Sequence, residues 1–133
     1  MKPGRIILIA GILCMLCVVL GAFGAHALKP RLSQEMLQIY DKAVRYQFIH
    51  ALSLIVFSIM PEKYRTPLLA YASHFILVGI VFFSGSLYLL VANELGGFIN
   101  TGIIGPVTPL GGLCLTTGWV LFTYNAWKRA NES

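Results

Sequence analysis

Hydrophobic residues run along this chain in long stretches, not in short alternating ones. Four segments carry no Lys, Arg, Asp or Glu: residues 6–28, 46–61, 66–93 and 95–127. A bilayer core takes about 20 mostly apolar residues as one helix, and backbone groups inside it must bond within their own segment. The pattern therefore predicts an all-α, membrane-embedded up-down bundle of four transmembrane helices. The expected helices cover about 6–28, 33–60, 67–93 and 109–127, in a single integral membrane domain spanning 1–133.

Local signals set the ends. Pro30 stops the first helix, because it cannot donate to the helical ladder. Ser33 is an N-cap residue. After it, Met36, Leu37, Tyr40, Val44 and Phe48 recur on one helical face, and Glu35, Asp41, Lys42 and Arg45 occupy the other. That predicts an amphipathic interfacial helix leading into helix two. Pro61 ends helix two, and Pro67 suits the first turn of helix three. Residues 94–107 are glycine-rich and predict a loop, followed by Thr108 as cap and Pro109 as the first residue of helix four. The first apolar run is longer than the core of a secretory signal, which predicts a retained helix.

Composition supports the same class. The chain is 57% hydrophobic and 11% charged, whereas soluble domains carry about 25% charged residues. The mean hydropathy is +0.77. The net charge of +5 does not indicate nucleic acid. The cations flank apolar runs in pairs, as they do around membrane spans, and form no basic face with stacking aromatics. With four spans, Lys2, Arg5, Lys63, Arg65, Lys128 and Arg129 share one side; Lys29, Arg31, Lys42 and Arg45 share the other. This bias predicts cytoplasmic termini. Cys14, Cys17 and Cys114 lie inside apolar runs, and no βαβ pattern surrounds Cys14-x-x-Cys17, so the cysteines read as small packing residues.

Small residues mark where membrane helices approach closely. Ala10, Cys14, Cys17, Gly21 and Gly24 form one stripe; Gly111, Leu115, Gly118 and Phe122 form another. Both predict packing seams within the bundle, with self-association as the alternative.

Polar residues concentrate where alternate helix ends meet in an up-down bundle: His26, Tyr46, Gln47, His50, Ser84, Ser86, Tyr88, Glu94 and Thr108. Two readings compete. In one, these residues bond across helices and fix the bundle, each bond contributing about 0.6 kcal/mol. In the other, His26 and His50 meet the N-terminus of helix four and bind or translocate a small solute, ion or proton. No serine or cysteine can be paired with a histidine base by spacing, and no zinc-hydrolase spacing is present, so no catalytic or metal residue and no cofactor is expected.

The segments Gly21–His26, Tyr46–Leu52, Phe83–Leu89 and Thr108–Gly112 resemble the signature segments of the membrane family called domain of unknown function 423. Its members include small bacterial inner-membrane proteins and a eukaryotic relative, transmembrane protein 256. The resemblance runs from about Arg5 to Trp127. It implies a small multi-helix membrane protein and brings no activity, cofactor or catalytic residue. The expectation is a non-enzymatic multi-pass protein that works through the lipid bilayer, a membrane protein partner or a homo-oligomer, without nucleic acid.

Overall fold

Capping chemistry sets several of the helix ends. The computed structural model describes residues 3–97 and 101–132. Among these residues the regular structure is all helical: α1 (Pro3–Phe23), a π-helical turn (Gly24–Leu28), α2 (Gln34–Ile59), a short 3-10 turn (Glu62–Tyr64), α3 (Pro67–Gly96) and α4 (Thr101–Asn131). Ser33 Oγ accepts from Met36 N at 3.3 Å and starts α2. Thr66 Oγ1 accepts from Leu69 N at 3.3 Å, and Pro67, which has no N–H to satisfy, opens α3. Gly97 ends α3 at φ 66°, a left-handed conformation that glycine adopts without a Cβ clash; its N–H bonds Asn93 O at 2.7 Å.

Among the described residues, three segments are long and apolar enough to cross a membrane: Gly4–Leu28, Pro67–Gly96 and Ile104–Asn131. α2 is not among them, because Asp41, Lys42 and Arg45 lower its hydropathy. The segment expected at 33–60 is one continuous helix, Gln34–Ile59, and one boundary differs from expectation. Helix four starts at Thr101, not at Pro109, so most of the expected 94–107 loop is helical; residues 98–100 of it lie outside the described residues. Pro106 and Pro109 are both inside α4. Proline inside a helix crowds the carbonyl four residues back. That residue is Gly102 for Pro106 and Gly105 for Pro109, where the backbone adjusts with the least steric cost.

Each helix packs chiefly on its neighbour in sequence: α1 on α2, α2 on α3 and, most extensively, α3 on α4. The last pair is in backbone contact. A Cβ on Gly111 would lie 2.7 Å from Phe83 Cα, one on Gly79 2.9 Å from Leu115 N, and one on Gly118 3.1 Å from Ala72 O. The side chains gather into two apolar clusters. One joins Ile6, Ala10, Leu54, Phe57, Leu69, Ala72, Ile76, Ile80 and Leu115; the other joins Leu28, Leu32, Tyr40 and Val91.

A polar belt as candidate functional site

Between the two apolar clusters, each of the first three helices carries polar groups. Gln47 is the hinge of this belt. It lies in the middle of α2 and is 4% exposed. Its Nε2 donates to Leu13 O of α1 at 3.0 Å, and its Oε1 accepts from Tyr88 Oη of α3 at 3.0 Å. One side chain therefore ties three helices. An amide suits this position because it offers a donor and an acceptor at once. Tyr40 adds a second α2–α1 link, donating to Leu20 O at 2.7 Å and meeting the Tyr88 ring edge-on at 5.6 Å. Its ring fills the space left by Gly24, where a Cβ would lie 2.5 Å from Tyr40 Cε1.

Ser86 and Thr108 join α3 to α4 through a 2.7 Å hydroxyl pair, and Ser86 Oγ also donates to Phe83 O. Ser84, on another face of α3, is 1% exposed, and its hydroxyl has no hydrogen-bond partner among the described residues. His50 is buried in α2. Its Nδ1 lies 2.7 Å from Tyr46 O, and since a carbonyl only accepts, Nδ1 carries the proton. The imidazole stacks on Tyr46, which in turn packs on Phe83 at 4.6 Å, and it meets Trp119 edge-on. Neither Ser84 nor Ser86 bonds His50.

The remaining candidates lie apart from this belt. His26 is exposed on the π-helical turn, and among the described residues its side chain makes no hydrogen bond, ion pair or ring contact. Glu94, expected in a loop, is in the last turn of α3, where Oε1 accepts from Ser33 N at 3.1 Å and so supports the start of α2. Among the described residues, no group of three or more His, Cys, Asp or Glu side chains is placed to hold a metal ion. The cysteines are unpaired thiols, and Cys17 Sγ lies 3.7 Å from Val44 O.

Asn125 was not anticipated. It is 2% exposed near the end of α4, donates to Tyr64 O at 2.9 Å and accepts from Thr66 Oγ1 at 2.6 Å. It fastens the α2–α3 connection to α4. The available signal was an amide inside an apolar helix, which has to find a partner.

The model of the family described as "Protein of unknown function (DUF423)" matches residues 20–112. The chain belongs to this family. Among its relatives are a UPF0382 membrane protein of Staphylococcus haemolyticus, 36% identical over 93% of this chain and 97% of the relative, and the UPF0382 membrane protein YwdK of Bacillus subtilis, 35% identical over 92% of this chain and 95% of the relative. No solved structure matches. These DUF423 relatives are named as bacterial membrane proteins, and their names carry no activity. The family match covers Gln47, His50, Ser84, Ser86, Tyr88 and Thr108, whereas Leu13, whose carbonyl Gln47 bonds, and Trp119, which His50 meets, lie outside it. The chain is accordingly a membrane protein of the DUF423 family, and its apolar helices fit that medium.

Proposed function

We propose that the protein is a non-catalytic bundle of four spans, α2 included, that acts through what packs against it: lipid, a membrane protein partner or a second copy. The observation that carries this reading is where the polar groups go. Gln47, Tyr40, Tyr88, Ser86, Thr108 and Glu94 all bond to other helices or caps, and among the described residues no hydroxyl bonds the His50 ring. Lipid gives helices little reason to associate, so packing and interhelical bonds supply it. The first turns of α2, from Gln34, then lie at the interface, and its charged face continues inward from there. The excess of Lys and Arg on the side of both termini favours a cytoplasmic location for them in a bacterial inner membrane.

The test uses His50→Ala and Gln47→Leu in proteoliposomes loaded with a pH-sensitive dye, beside thermal unfolding in detergent. Both variants are expected to lower the melting midpoint, with no proton leak above that of empty liposomes in either variant or wild type. A wild-type proton flux that His50→Ala abolishes at unchanged stability would replace this reading with translocation at the belt.

A further inference from the structure

Three hydrogen bonds and contacts fix the height of α2 against α1: Tyr40 on Leu20 O, Cys17 on Val44 O, and Gln47 on Leu13 O. Cys17 is midway between Arg5 and Lys29, the nearest Lys or Arg on either side of the α1 apolar run. That is about 18 Å of helix from each at 1.5 Å per residue. Val44 is therefore level with the middle of a membrane span, and Arg45, Lys42 and Asp41 lie within about one turn of it. All three are exposed and have no ion-pair partner among the described residues; the ion pairs found join Lys128 and Arg129 to Glu132. With Gln34 and Gln38 they follow helical spacing down one outer face of α2. Beside this face a cavity of about 380 Å³ is lined by Cys17, Val18, Asp41, Val44, Arg45 and Phe48.

Ionisable groups at membrane depth are costly against lipid and are normally paired or covered. Arg45 and Lys42 can extend towards the α2 N-terminus, the direction in which helical side chains lean. Asp41 is too short to reach an interface in that way. The stripe carries both signs, so it is complementary to itself.

We infer that the Asp41–Lys42–Arg45 face of α2 is an isologous interface with a second copy of this chain, closed by reciprocal ion pairs between Asp41 of one copy and Arg45 of the other. In a membrane the two-fold axis runs along the bilayer normal, so equivalent residues of the two α2 helices stand at equal heights. Arg45 leans one turn upward, to the level of the opposite Asp41. This deepens the association reading above by naming its surface, and it fails separately from that reading, because the readout is stoichiometry and needs no assay of flux or turnover.

The experiment is a charge-swap cycle on the full chain in nanodiscs, with subunit number read by single-molecule photobleaching. Wild type is expected to be dimeric. Asp41→Arg and Arg45→Asp should each weaken association by about tenfold or more, and the double swap Asp41→Arg/Arg45→Asp should restore it. A monomeric wild type, or a folded double swap that stays monomeric, overturns the proposal. A further arm leaves the charges intact. With the three native cysteines replaced by alanine, Gln38→Cys should cross-link between copies in membranes, and Leu113→Cys, on the exposed face of α4, should not. Equal cross-linking at the two positions also overturns it.

Discussion

Gln47 and Ser84 are both buried polar residues, yet they stand in opposite situations. Gln47 satisfies its donor on α1 and its acceptor on α3; Ser84 satisfies nothing. Replacing a bonded group strands its partner, whereas removing an unbonded one relieves a burial cost. Gln47→Leu is therefore expected to lower unfolding stability in detergent by about 1 kcal/mol, within the range of interhelical bonds measured in membranes. Ser84→Ala should leave stability unchanged or raise it. Ser86→Ala removes a hydroxyl that lies 2.7 Å from that of Thr108 and should lower it. Unfolding curves of the three variants in one detergent check the order. Destabilisation by Ser84→Ala equal to that of Ser86→Ala would mean that the Ser84 hydroxyl has a partner in the bilayer.

Between elements, α3 and α4 meet backbone to backbone, and glycine permits it. At Gly111 an added methyl would run into the Phe83 backbone, which cannot yield without separating the helices; at Gly112 the nearest atoms are Phe83 ring carbons at 3.9 Å, an ordinary contact. Gly111→Ala is expected to cost about 1–3 kcal/mol, as overpacking does, and Gly112→Ala close to nothing, compared by the same unfolding measurement. This seam was legible in the sequence: Gly111, Leu115 and Gly118 share a face, and that face meets α3. The turns at Ser33, Pro61 and Pro67 were legible as well, because capping and proline chemistry act locally. The start of α4 was not. Pro106 and Pro109 read as helix boundaries, and only the glycines four residues before each, together with the packing on α3, allow the helix to continue through them. The depth of the belt was hidden for a different reason. The residues were visible, and Tyr46 and His50 do share a face, but Gln47 meets Leu13 through tertiary register, which no local spacing encodes. His26 looked equivalent to His50 because both end or begin an apolar run. The π-helical turn leaves it outside.

For the whole molecule, the open question is how the chain returns between α1 and α3. The start of α1 and the start of α3 share one apolar cluster, through Ile6 and Leu69; the end of the first apolar segment and the end of α3 share the other, through Leu28 and Val91. α1 and α3 are thus parallel, and if both cross the membrane the chain must cross back between them. The helix in that interval is α2, although its composition alone falls short of a span. Its uncharged part, Tyr46–Ile59, gives about 21 Å of helix against a hydrocarbon core of about 30 Å. The shortfall is what carries Arg45 and its neighbours below the interface, and local thinning or a covering partner accommodates it. The expected outcome in a cysteine-free background is that Glu62→Cys reacts with a membrane-impermeant maleimide from the same side as a tag at the C-terminus, and Gln34→Cys from the opposite side. Sealed vesicles of both orientations provide the comparison. Labelling of both positions from one side would make residues 29–66 a surface hairpin, and α1 and α3 could then not both span the bilayer in the parallel arrangement their shared clusters require.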